Sequence, residues 1–273
     1  MLKKIKKACL IIILCLFGII TMIPFVWMVF SSFKSNAEIN ALQQTLLPKN
    51  ATLANYVKIQ ETFDFVRYFM NSLFVSMTVT TIVIYTSTIS GFVFSKYKFK
   101  GRNFLFGFVI ATMMIPWAVT IIPKYEMFVK AGLSDTYLSL ILPGIVSGFG
   151  IFMMRQNIAR IPDEIIEAAR ADGANEFYIF HKIIFPMSRN GISALAIFQF
   201  LGVWEDYLWP YLMINSEEKQ LLPVGLNMFS GQYSTDYGGL FAATAMSIIP
   251  VIIVYIIFQK RFLEGVASSA VKG

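Results

Sequence analysis

Between Ile192 and Ile214 an otherwise apolar run is interrupted by Trp204, Glu205 and Asp206. Two adjacent carboxylates on a lipid-facing surface are expensive, about 2.5–3.5 kcal/mol for a central Asp on insertion scales, so this pair is expected to face a cavity or a partner. Carboxyls buried in such a place also hold their protons more readily. An aromatic face stacks on the apolar C–H face of a pyranose while carboxylates accept from its hydroxyls, so a Trp beside two acids suits carbohydrate. The competing reading is a helix end at the outer interface, where Trp is enriched in any case.

A second stretch, Glu167–Pro186, reads EAARADGANEFYIFHKIIFP and carries charges of both signs between apolar spans. Pro162 suits a first helical turn, and Asp163, Glu164 and Glu167 place negative charge at the positive end of the helix dipole. Gly173 supplies the left-handed conformation that stops that helix. Asn175 caps a second helix, whose apolar residues are Phe177, Ile179, Phe180, Ile183 and Ile184, and Pro186 is expected to end it. The result is two short helices hinged at Gly173. Each is shorter than an isolated helix needs in water, so docking onto something else is expected to order them.

Other chemistries lack their residues. There is no Gly-Lys-Ser or Gly-Lys-Thr for a P-loop and no Gly-x-Ser-x-Gly nucleophile elbow. One His and two Cys, Cys9 and Cys15 in the same apolar span, form no plausible metal cluster and no disulfide framework. No cofactor and no catalytic residue are expected.

The elements that must position these stretches are membrane helices. The 273 residues are 56% hydrophobic and 15% aromatic with mean hydropathy +0.64, too apolar for a soluble fold. Candidate spans of the length needed to cross a bilayer are Cys9–Phe30, Phe69–Phe94, Phe104–Ile122, Tyr137–Met154, Ile192–Ile214 and Leu240–Phe258. The first follows Lys7 and is too long for a signal-peptide core, so it is expected to remain as an anchor. The net charge of +7 is explained by topology. With both termini inside, most Lys and Arg fall on the cytoplasmic side, including Lys3, Lys4, Lys6 and Lys7, the turn Lys96–Arg102, and Arg155, Arg160, Arg170, Lys182 and Arg189. No basic stripe is left over for nucleic acid.

Within the spans, Pro24, Pro116 and Pro123 predict kinks at packed or cavity-lining positions. Gly144 and Gly148 form a small-xxx-small pair suited to close helix contact. The polar segment holding Leu47, Pro48, Thr52, Asn55 and Tyr56 reads as an external loop, as does Asn215–Tyr237 with Gly231, Gln232 and Ser234.

Glu167, Ala168, Ala169, Gly173, Ile183 and Pro186 resemble the EAA loop of ATP-binding-cassette importer permeases, with Phe185 where that pattern has Leu. Pro48 with Asn55–Tyr56, the aromatic and basic turn after Gly91, and the tail from Gly265 to Gly273 resemble the carbohydrate permeases of the MalG type, Ser269 replacing a common Gly. The resemblance implies an all-α membrane fold of six helices. Its expected divisions are an N-terminal helix and external segment at 1–68, a core permease domain at 69–262 with the coupling loop at 155–190, and a cytoplasmic tail at 263–273. It implies that Glu167, Ala168, Ala169, Asp172, Gly173, Phe177, Ile183 and Pro186 meet a separate ATPase subunit, the tail also reaching the ATPase dimer. It further implies that Trp204, Glu205 and Asp206 line the substrate path and that Gly231, Gln232 and Ser234 reach toward an extracellular solute-binding protein. A second, non-identical permease and surrounding lipid complete the partners, and the ATPase activity is the partner's. The alternative is a stand-alone carrier or channel using Glu205 and Asp206 for protons or cations; no inverted repeat supports it. A membrane scaffold or enzyme subunit leaves those acids without a task.

Overall fold

The computed structural model describes residues 2–231 and 235–270. In chain order the helices are α1 (Leu2–Ser31), α2 (Asn36–Ile39), α3 (Ala54–Thr62), α4 (Phe65–Lys96), α5 (Arg102–Met113), α6 (Trp117–Lys130), α7 (Tyr137–Ile141) and α8 (Gly148–Ile158). They continue with α9 (Asp163–Ala171), α10 (Glu176–Tyr178), α11 (Phe185–Met187), α12 (Arg189–Trp204), α13 (Leu208–Met213), α14 (Leu222–Asn227) and α15 (Tyr237–Ala270). Among the described residues no β-strand occurs; Ser230 and Thr235 form an isolated bridge.

Of the candidate spans, the first, second and last lie within single long apolar helices, α1, α4 and α15. The third is not one kinked helix: α5 and α6 turn by 96° at a break before Pro116, whose missing N–H cannot continue the ladder. Pro123, by contrast, stays inside α6. The fourth bends by 41° between the Leu142–Gly144 turn and α8. The fifth is divided as well, since α12 stops at Trp204 and α13 begins at Leu208. Among the described residues, three of the six candidate spans are single unbroken helices and the third, fourth and fifth are broken. Broken helices are tolerated at membrane depth where neighbours satisfy the freed backbone.

The chain forms two compact units. The first comprises residues 1–67 and 225–249. Its α1 is apolar on every side, with Leu10, Ile13, Phe17 and Ile20 all exposed, as a lipid-facing helix requires. Beyond α1 the chain is tied down by Asn55, a buried side chain whose amide donates to the carbonyls of Ser32 and Lys34 at 2.7 Å each. The Tyr56 hydroxyl lies 2.7 Å from Ser32 Oγ. Asp236 accepts from Asn36 Nδ2 at 2.6 Å and pairs with Lys58.

The second unit comprises residues 68–224 and 250–273. Its core joins Val83 of α4, Met154 and Ile158 of α8, Ile166 of α9, Leu195 of α12 and Met213 of α13. Small residues let the backbones approach. A Cβ on Gly91 of α4 would lie 2.8 Å from the Arg155 nitrogen of α8, and one on Gly150 of α8 would collide with Ser87 Oγ of α4. The Gly144 and Gly148 pair meets two different helices, Gly144 facing Val79 and Gly148 facing Met113, so no single small-residue seam results.

Candidate coupling site

The α9-to-α11 stretch is built on caps. Pro162 stands at the N-cap with an extended ψ of 138°, and Asp163 and Glu164 occupy the first turn. Gly173 has φ +83°, the left-handed stop expected of it. The Asn175 side chain then accepts from the Tyr178 N–H at 2.8 Å, capping the second helix. That helix runs past Pro186. Residues Ile179–Ile184 form π-helical turns that widen the backbone just before a residue with no N–H to give, and α11 continues to Met187. Pro186 is therefore accommodated, and the helix ends at Ser188.

The apolar residues of this stretch divide into two sets. Ile166, Ile179, Phe180 and Ile184 are buried in the chain's own core, so the stretch is ordered from within and not only by a partner. Glu167, Ala168, Asp172, Gly173 and Pro186 are exposed, Ala169 and Ile183 are half-buried, and the Phe177 ring is 72% exposed. The exposed face of this stretch thus carries a large aromatic together with the Glu167 and Asp172 carboxylates.

The basic turn after α4 fixes this surface in place. The Lys96 side chain, only 6% exposed, pairs with Asp163 Oδ1 at 2.6 Å and donates to the Ile161 carbonyl. That hydrogen bond holds the Asp163 carboxyl below its ordinary range. Across the hinge, Arg170 Nε of α9 donates to Glu176 Oε1 of α10 at 2.7 Å, and the Tyr97 hydroxyl donates to Glu176 Oε2. The Arg170 hydrogen bond depresses the Glu176 carboxyl, while burial and then the bond to Glu176 push the Tyr97 phenol up to about 12. Both short helices are thus clamped to the end of a long span.

The Trp204–Asp206 group is arranged differently from the sugar-stacking expectation. Trp204 is 5% exposed; Phe200 stacks on it at 5.6 Å and Phe69 meets it edge-on at 5.5 Å, so its ring is core. Glu205 is exposed and Asp206 half-buried in the break between α12 and α13. Asp206 accepts from the Trp209 N–H at 3.4 Å, and Trp209 donates its indole N–H to the Ser139 carbonyl at 2.9 Å. Lys124 sits 4.0 Å above the Trp209 ring, and Tyr207 and Tyr211 stack at 5.4 Å. These aromatics and Lys124 carried no local signal in the sequence. Of the external group, Gly231 is exposed, and Gln232 and Ser234 lie outside the described residues, as do Val271–Gly273 of the tail.

The model of the family described as binding-protein-dependent transport system inner membrane component matches residues 84–267, which include the whole coupling stretch and the Trp204–Asp206 break. The chain belongs to this family. It is therefore a multi-pass permease component of an importer in the inner membrane. It is 34% identical to the arabinooligosaccharides transport system permease protein AraQ of Halalkalibacterium halodurans, over 93% of this chain and 92% of that protein. It is 30% identical to the diacetylchitobiose uptake system permease protein NgcG of Streptomyces coelicolor, over 94% of this chain and 86% of that one. A crystal structure of a bacterial ABC transporter involved in the import of the acidic polysaccharide alginate has the same fold, with a TM-score of 0.83 at 23% identity over 95% of this chain and 97% of its own.

Proposed function

We propose that this permease component imports oligosaccharides and is driven by a separate ATPase that grips the exposed face of α9 and α10. The observation that carries the reading is the division of the coupling stretch. Its buried residues lock it to the core, while Glu167, Ala168, Asp172 and Phe177 stay outside. A force applied to that face passes through Lys96 and Tyr97 into α4 and through α11 into α12. Bistable packing then converts the displacement into alternating access, with no bond chemistry in this chain.

The sugar class is supported by relatives whose names specify arabinooligosaccharides and diacetylchitobiose. Glu205 and Asp206, at the break between α12 and α13, are the proposed polar contacts of the path, with Trp204 acting behind them as a positioning residue. The basic turn Lys96–Arg102 supports a cytoplasmic coupling end, with both termini on the same side. The proposed assembly adds two ATPase subunits, a second permease and an extracellular solute-binding protein that meets the Gly231 loop.

The test is mild extraction of the tagged chain and identification by mass of what accompanies it in stoichiometric amount. An ATPase, a second permease and a solute-binding protein support the reading, and ligand screening of the latter names the sugar. A chain isolated alone that moves solute without ATP opposes it.

A further inference from the structure

At the end of the second unit that carries the coupling stretch, α12 and α15 enclose a cleft of about 320 Å³. Phe185, Ile192 and Phe258 line it together with Arg189 and Arg261. A hollow of about 530 Å³ shares Pro186 and Arg189 with it and adds Lys182. All three cations are exposed, and among the described residues none has an ion pair.

Two features separate this cleft from an ordinary solvated basic face. First, its two arginines come from helices far apart in sequence and line one cleft together with Phe185, Ile192 and Phe258. Second, its Ile192 and Phe258 are end residues of the candidate spans Ile192–Ile214 and Leu240–Phe258. A guanidinium fork matches phosphate oxygens bidentately, and an aromatic and aliphatic wall beside it suits an acyl chain. Basic pockets between membrane helices are where anionic headgroups bind. Another basic hollow of the unit, lined by Lys98 and Arg102, lacks this design: its lining residues all fall within positions 98–104, and Arg102 already donates to the Tyr97 carbonyl at 3.1 Å.

We propose that the Arg189–Arg261 cleft is a binding site for an anionic phospholipid, with its phosphate between the two guanidiniums and its acyl chains on Phe185, Ile192 and Phe258. The inference rests on reading this end of the helices as a membrane surface. A lipid there joins the last turn of the coupling stretch to α15, so occupancy stiffens the path by which that stretch moves the spans.

Native mass spectrometry of the full chain, with whatever co-isolates in non-ionic detergent, tests the site by titration with cardiolipin and, separately, phosphatidylcholine. Replacing both arginines (R189Q/R261Q) is expected to weaken cardiolipin binding roughly 30-fold, from about 1 kcal/mol for each basic side chain at an anionic surface. Phosphatidylcholine binding stays unchanged, as does cardiolipin binding in K98Q/R102Q. R189K/R261K, which keeps charge and loses the fork, falls between. Equal weakening in the two glutamine variants, or none in R189Q/R261Q, overturns the site. Displacement of cardiolipin by inorganic phosphate reduces it to a simple anion site and overturns the lipid assignment. Loss of a co-isolated ATPase from R189Q/R261Q with lipid binding intact assigns the cleft to that protein instead. The lipid count is read whether or not an ATPase co-isolates, so failure of the transport reading and failure of this site are distinguishable.

Discussion

Arg170 and Glu176 reach across Gly173 and meet at 2.7 Å, so the hinge of the coupling stretch is bridged by an ion pair. Both partners are partly exposed, and such pairs contribute at most about 1 kcal/mol to stability. Their consequence is geometric. E176Q is expected to leave thermal stability in detergent within about 1 kcal/mol of wild type while lowering the solute moved per ATP hydrolysed in reconstituted vesicles. An unchanged ratio means the bridge does not transmit movement.

Gly173 offers a cleaner test of the hinge itself. A Cβ there meets nothing within 4 Å, so only the backbone at φ +83° resists substitution. G173V forces a β-branched residue into the left-handed region at a cost of about 1–2 kcal/mol, which is expected to shift α10 and uncouple transport. G173N, whose side chain tolerates that region, is expected to retain coupling. Equal transport in both variants removes the conformational argument.

Lys96 is the buried tie. K96M leaves the Ile161 carbonyl without its donor and frees Asp163, and is expected to lower stability by about 1–3 kcal/mol, read as thermal unfolding of the purified protein. K98M, two residues on and exposed, is expected to change little.

Asp135 anchors the connection before α7 to the one after α13. It accepts from the Asn215 and Ser216 N–H groups and pairs with Lys219 at 3.1 Å, and these bonds, the Ser216 N–H first, hold its carboxyl well below the usual range. A carboxyl depressed in the folded state stabilises above its unfolded pKa and loses that stabilisation as pH falls through the folded one. Protease sensitivity near residues 215–219 is therefore expected to rise on acidification below about pH 4. D135N, which keeps the left-handed backbone at φ 57° accessible, is expected to be sensitive already at neutral pH.

Trp204 separates packing from transport. Because its ring is enclosed by Phe69 and Phe200, W204A is expected to cost about 3–5 kcal/mol of stability, and W204F to recover most of it. E205Q and D206N are expected to spare stability and slow solute-stimulated turnover. A W204A protein of normal stability contradicts the core placement.

What the sequence made legible was local. The Asn175 cap and the Gly173 stop depend on a few neighbouring residues and were readable from residue type alone. Pro186 was misread because the rule that proline ends a helix assumes α-helical spacing, and π-helical turns before it relax that constraint. The right-angle break before Pro116 and the bend at Gly144–Gly148 depend on packing that hydropathy does not encode. Lys96 and Tyr97 read as interfacial residues of a basic turn; their ties to Asp163 and Glu176 join residues 67 and 79 positions apart. Trp204 had the composition of a sugar platform, and only burial showed that Phe69 and Phe200 of the chain itself pack against its ring.

The central claim, that ATP-driven motion enters through the exposed face of α9 and α10, is tested most directly by uptake of the labelled oligosaccharide that the co-isolated solute-binding protein binds, into vesicles holding the co-isolated complex, with ATP supplied and the proton gradient collapsed. The account predicts uptake that persists under the uncoupler and is lost in F177A while ATP hydrolysis continues. Uptake that disappears with the gradient, or that survives F177A at full rate, contradicts it.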